Sequence, residues 1–230
     1  HAYSEHTHWE PFIHDFIEWI RENDPPPWTS LESKKRVAFL MGCASHGFQD
    51  EIFDTLFLEQ IAEHDNGTQE NADPGSDGFL ADAELLRFVP TEYIPMDTLL
   101  ELYTKLDVEI TEETIRKSVK MMLLTYLNDG GGRSVAHALD EQYAGELPWT
   151  KAHFLDPSIP GSLRTEILPT GAYLQAIWER IHGTFDPEKV VVFGFPEAPR
   201  PLLSGVAASP DSWVTLVYGE GVHRDSASGK

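Results

Sequence analysis

His46, Asp50 and Asp54 follow one another at intervals of four in the stretch Met41-Gly-Cys-Ala-Ser-His46-Gly-Phe-Gln-Asp50-Glu-Ile-Phe-Asp54. On an α-helix, residues four apart stack along one face with Cβ atoms about 5–6 Å apart, so these three would form an imidazole-carboxylate-carboxylate ladder. Donors on adjacent turns can both reach one divalent ion, as the two imidazoles do in helices carrying a His-Glu-x-x-His zinc motif, and a neutral imidazole with a carboxylate could do the same. The same spacing also serves a solvated ion pair, so a metal site needs further donors. Asp73 and Asp77 offer hard oxygen ligands beside Gly75 and Gly78, where the backbone could approach an ion. They do not make an EF-hand loop, because the third position would be Gly75 and the twelfth Glu84. Near the start, His1, Glu5, His6 and His8 cluster ahead of a helix.

The elements that would hold these donors are mostly helical. Thr7 and Glu10 have the spacing of a capping box, Pro11 suits a first turn, and Phe12, Ile13, Phe16, Ile17 and Ile20 recur with helical period up to Asn23-Asp-Pro-Pro-Pro27. Thr29 and Glu32 suggest a second box, and no proline follows until Pro74, so one long helix is expected over about 30–63. Val37, Leu40, Met41, Ala44, Phe48, Ile52 and Leu56 would form its core face. Gly42 and Gly47 each cost about 1 kcal/mol relative to Ala in a helix interior, which asks for a close backbone neighbour. From 65 to 82 the chain is acidic and rich in Gly and Asn, and reads as a loop. Helices are expected at 96–106, 112–127, 134–144 and 170–181, the last closed by Gly183, with a break at Asn128–Gly132 and a proline-containing loop over 148–161. The lone histidines 14, 137, 153 and 182 read as surface or packing residues.

Past Gly183 the period changes to that of strands, in 189–193 and 213–218. The expected fold is therefore mainly α: a multi-helix domain over 1–185 and, from 186 to 230, the start of a small all-β domain. The β-rich piece resembles the opening of bacterial immunoglobulin-like repeats.

Charge narrows the function classes. The chain has 230 residues, 38 acidic against 17 basic, and a formal charge of −21, which disfavours nucleic acid and any other polyanion. Bound cations would offset part of that charge. The single cysteine, Cys43, forms no internal disulfide and is expected as a buried structural thiol. No stretch approaches the ~18 apolar residues of a membrane span, so any membrane contact would be peripheral. Opening at His1 without Met, the sequence reads as a piece of a longer protein.

With the elements placed, the chain resembles the zinc-dependent phospholipase C family, and within it the phospholipase D branch specific for glycosylphosphatidylinositol. The residues that carry this are Ser4-Glu-His-Thr-His8-Trp9, Ile20-Arg-Glu-Asn23 with Pro27-Trp28, Val37-Ala-Phe-Leu40, and Ser45-His46 followed by Asp50. Leu58-Glu-Gln60 and Ile94-Pro95 with Leu99-Leu100 and Tyr103 extend the match. The resemblance implies a helical bundle holding up to three zinc ions that polarise a phosphodiester and activate water. It implies His8 as a zinc ligand and His46 with Asp50 as a ligand pair. Asp54 stands where the phospholipase D relatives have His, and Asp73 and Asp77 stand where they have a second His-x-x-x-Asp pair. These changes would tilt metal preference from zinc toward calcium or another hard divalent ion. Further ligands and the general base are expected upstream of this sequence. The expected function is metal-dependent hydrolysis of phosphodiesters, in phospholipids or glycosylphosphatidylinositol-type substrates, by a secreted or cell-surface protein. The alternative expectation is a calcium-loaded adhesion module without turnover.

Overall fold

The computed structural model describes residues 6–8, 10–83, 93–127, 131–185, 191–195, 214–218 and 222–225. His1 and Glu5 of the histidine cluster, Glu84, the break at 128–130 and the expected boundary near Asp186 lie outside the described residues. The described part is mainly helical and divides into two compact units, His1–Ile52 with Ile94–Ile110 and Glu166–Lys230, and Phe53–Tyr93 with Thr111–Thr165. Among the described residues no helix is long and apolar enough to cross a membrane.

The first unit opens with a 3₁₀ turn, His6–His8, and then α1, Glu10–Asn23. Phe12, Ile13, Phe16, Ile17 and Ile20 fall on one stripe of α1 and are all buried, each such side chain contributing about 1.5–3 kcal/mol of transfer free energy. The second helix, α2, runs Leu31–Ile52 and is packed through Leu40, Ala44, Phe48 and Ile52. Its cap is Ser30 rather than Thr29: the Ser33 amide donates to Ser30 Oγ at 3.0 Å, satisfying one of the first-turn amides. Later chain adds the helices Met96–Lys105 and Ile167–Ile181, which become α5 and α9 in chain order. Tyr173 of Ile167–Ile181 stacks on Phe48 with ring centroids 4.5 Å apart. Gly183 closes that last helix with φ +68°, a left-handed conformation suited to glycine. Three short strands follow: β1 Val191–Phe195, β2 Val214–Tyr218 and β3 Val222–Asp225. The first pair is parallel and the second antiparallel, and β3 had no clear strand signal in the sequence.

In the second unit a five-residue π-helical segment, Phe53–Phe57, precedes α3, Leu58–Asp65. The stretch expected as a loop is instead the helix α4, Gln69–Asp82. Thr68 precedes it, its amide donating to Asn71 Oδ1 at 2.8 Å, which is the reach-back half of a capping box. Ala72 and Phe79, two turns apart, enter a core with Phe57, Ile61, Leu147 and Phe154. The glycines that read as breakers are packing residues: a Cβ on Gly78 would overlap the Asp140 amide nitrogen and lie 2.8 Å from Asp140 Cα. A Cβ on Gly75 would lie 3.3 Å from Tyr143 Cβ. Both therefore let α4 lie against α7, Gly131–Glu146, which together with α6, Glu112–Leu127, completes the long helices of this unit.

The proline-containing loop is also corrected in part, because it opens with a short helix, α8, Pro148–His153. The Asp65 carboxylate accepts from the amides of Trp149 and Thr150 at 3.1 and 2.8 Å and from Thr150 Oγ at 2.7 Å. A carboxylate at a helix N-terminus satisfies amides that have no partner within the helix and sits favourably in the helix dipole. One acid of the expected acidic loop is thus structural.

Candidate functional site

Three of the expected ligands, His8, His46 and Asp50, meet in the first unit. His8 ends the 3₁₀ turn and lies with its backbone directly on α2 at Gly47. A Cβ there would overlap the His8 carbonyl and lie 2.6 Å from its Cα, so only glycine admits this approach. Gly42 answers differently, since a Cβ on it would meet nothing within 4 Å. Because Gly47 adjoins His46, the close approach brings the two imidazoles together, with ring centroids 4.7 Å apart and planes at 65°. His8 Nδ1 stands 3.9 Å from Asp50 Oδ2, and Asp50 is one helical turn beyond His46.

Electrostatics favours the state in which His46 can ligate a cation. His46 is exposed on one side, yet partial loss of water around the ring, and then the adjoining His8, lower its pKa below the ordinary 6.5, against an opposing pull from Asp50. His46 is therefore neutral near pH 7, with a ring nitrogen available as a donor. Two imidazoles and a carboxylate form a donor set that fits a divalent cation of the zinc type. Among the described residues, however, no three His, Cys, Asp or Glu side chains converge on one point in their present rotamers.

A fourth residue of this neighbourhood was missed by sequence reasoning. Glu166, immediately before α9, is 2% exposed and hydrogen-bonded to Gln49, the residue before Asp50. Gln49 Oε1 accepts from Ser45 Oγ at 3.1 Å, so the Gln49 amide donates to Glu166. Burial pushes the Glu166 carboxyl up to about 8, the Asp50 charge adds to the rise, and the Gln49 hydrogen bond opposes it. In the sequence it is one glutamate among 38 acids, with no spacing that singles it out.

The other three expected ligands belong to the second unit. Asp54 falls in the π-helical segment, and its Oδ2 accepts from Gln69 Nε2 at 3.3 Å. A regular helix through residue 54 would have continued the ladder, but α2 closes at Ile52. Single π turns are frequent at functional sites. Asp73 and Asp77 lie one turn apart on α4, exposed and half-buried respectively. The helix thus gives them the spacing of an i, i+4 ligand pair, which a loop would not have fixed.

The four histidines read as surface or packing residues are placed accordingly. His14 Nδ1 is 2.6 Å from Arg180 Nη2, His153 stacks on Trp149 at 4.6 Å, His182 lies between Trp28 and Trp178, and His137 is exposed. Cys43 is half-buried, its thiol pushed up to about 12 by burial, as expected of a structural cysteine.

No protein-family model matches the chain, and neither does any solved structure. The chain is similar to the phosphatidylinositol-glycan-specific phospholipase D of Rattus norvegicus, 29% identical over 199 residues that make up 81% of this chain and 23% of that protein. The Mus musculus protein of the same name is 28% identical over 195 residues, again 81% of this chain and 23% of the relative. With its Homo sapiens counterpart the identity rises to 47%, over 60 residues covering 26% of this chain and 7% of the relative. The chain thus spans about a quarter of the length of these two rodent relatives, 23% in each case.

Proposed function

We propose that this chain is part of a metal-dependent phosphodiester hydrolase of the phospholipase C or D kind, acting on phospholipids or glycosylphosphatidylinositol-type substrates from a secreted or cell-surface location. The observation that carries this reading is the His8–His46–Asp50 cluster, with imidazoles 4.7 Å apart, admitted by a glycine that no other residue could replace in place. Similarity to phosphatidylinositol-glycan-specific phospholipase D over 81% of the chain supports it.

On this reading His8, His46 and Asp50 would hold a zinc ion after small rotamer changes. Bound there, a divalent cation supplies charge neutralisation for the phosphate and a lowered pKa for coordinated water. The residues themselves do the rest. Neutral His46 donates a lone pair without first losing a proton, and Asp50 brings the negative charge that favours a cation over water. Glu166 holds its proton near neutral pH, so it adds no second charge beside Asp50. Asp73 and Asp77 form a second donor pair in their own unit, with Asp54 as a further carboxylate, and an all-oxygen set of this kind suits calcium, magnesium or manganese. The β-rich end is read as the start of a separate domain of immunoglobulin-like kind.

The test is turnover of a soluble phosphodiester, bis(p-nitrophenyl) phosphate, and of a glycosylphosphatidylinositol-anchored protein by the full-length protein. Hydrolysis should stop on chelation, return with zinc, and be absent in Asp50→Ala. Tight metal binding without turnover of either substrate would contradict the hydrolase and favour a non-catalytic, calcium-loaded surface module.

A further inference from the structure

The helix Ile167–Ile181, α9, buries one face through Thr170, Tyr173, Ala176, Ile177 and Ile181. Its other face exposes Ile167, Leu168, Gly171, Ala172, Gln175 and Trp178 and carries no charge, in a chain of formal charge −21. Leu168 is 83% exposed, Ile167 60% and Trp178 48%. From Ile167 to Trp178 no residue is charged. Ile167 and Trp178 are about three turns apart on the same side, so the face extends roughly 16 Å along the helix. At its far end Trp28 packs edge-on against Trp178 with ring centroids 5.5 Å apart. Isolated exposed apolar side chains need no explanation, but Ile167 with Leu168 at one end and Trp178 with Trp28 at the other, on a helix face without charge, mark an interaction surface.

Charge and position select its occupant. A strongly acidic protein is repelled by anionic surfaces, and an uncharged face is the part of it that can approach a surface of no net charge. Trp, Leu and Ile on one uncharged face suit the boundary between headgroups and acyl chains, where the indole ring spans apolar and polar surroundings. The face also begins at the candidate centre, because Ile167 follows Glu166, which is bonded to Gln49 beside Asp50. We propose that the exposed face of α9, with Trp28 at its end, docks on a neutral or zwitterionic phospholipid bilayer. The inference rests on the hydrolase reading and deepens it: substrate is taken from a lipid surface that this face holds against the centre.

The test is co-sedimentation of the full chain with phosphatidylcholine vesicles, with and without one-third phosphatidylserine. Wild type should sediment with phosphatidylcholine vesicles and no better with the anionic ones. The double variant Ile167→Glu, Leu168→Glu should bind at least tenfold more weakly, while Leu168→Phe binds as wild type does. Both positions are exposed, so far-ultraviolet dichroism and the thermal transition should be unchanged. Failure of wild type to sediment, or sedimentation indifferent to the double variant, would overturn the proposal. So would concentration-dependent self-association in solution that the double variant abolishes, since a second copy would then cover the face. Turnover of bis(p-nitrophenyl) phosphate separates the two readings: its persistence without vesicle binding refutes docking alone, and vesicle binding without turnover refutes the hydrolase alone.

Discussion

At the scale of single residues, Glu166 is the most consequential side chain that sequence spacing does not reveal. In the metal-free protein its carboxyl titrates at about 8 instead of the ordinary 4.5, chiefly because it is buried. Between those values the folded chain keeps a proton that the unfolded chain has released, so this group makes stability fall as pH rises from about 4.5 to about 8. Glu166→Gln keeps the shape and an acceptor for the Gln49 amide but cannot ionise. It should be more stable than wild type at pH 8, by on the order of 2–4 kcal/mol, and equal to it near pH 4. Urea unfolding at the two pH values checks this, and equal stability at pH 8 would mean that Glu166 ionises without penalty. The interval of four between His46 and Asp50, by contrast, is a property of sequence, whereas His8 is joined to them only by the resemblance to the phospholipase family. Burial is not such a property, and Glu166 is defined by burial.

Helices explain which parts of the fold could be read. The apolar stripe of α1 and the helices at 96–105, 112–127 and 167–181 follow from period and from prolines or glycines at their ends. Helix α4 was hidden because Pro74, Gly75 and Gly78 carry breaker signals, whereas its stability comes from Ala72 and Phe79 in a core and from glycines that admit a neighbouring backbone. Tertiary packing overrode propensity there. The two glycines of α2 make the same distinction testable. Gly42→Ala meets open space and should stabilise the protein by about 0.5–1 kcal/mol, with metal affinity unchanged. Gly47→Ala must push the His8 backbone away, costing about 1–3 kcal/mol and lowering zinc affinity at least tenfold. Equal effects of the two substitutions in parallel unfolding and zinc titrations would show that Gly47 does not seat His8.

For the whole molecule, acidity and metal binding belong to one account. Thirty-eight acids against 17 bases leave a charge of −21, which bound cations would reduce, and the proposed docking face of α9 is uncharged. Division into two units separates His8, His46 and Asp50 from Asp54, Asp73 and Asp77, a division that the sequence does not signal because it falls at Ile52, within a run of unbroken helical pattern. The central claim is that the first group binds a divalent cation. Equilibrium dialysis of the purified chain against zinc at pH 7, for wild type, His46→Ala and Asp50→Ala, tests it most directly. At least one ion should be retained by wild type and lost in both variants, with the helical dichroism of the three kept alike. Zinc retained equally by all three, or by none, would contradict the account.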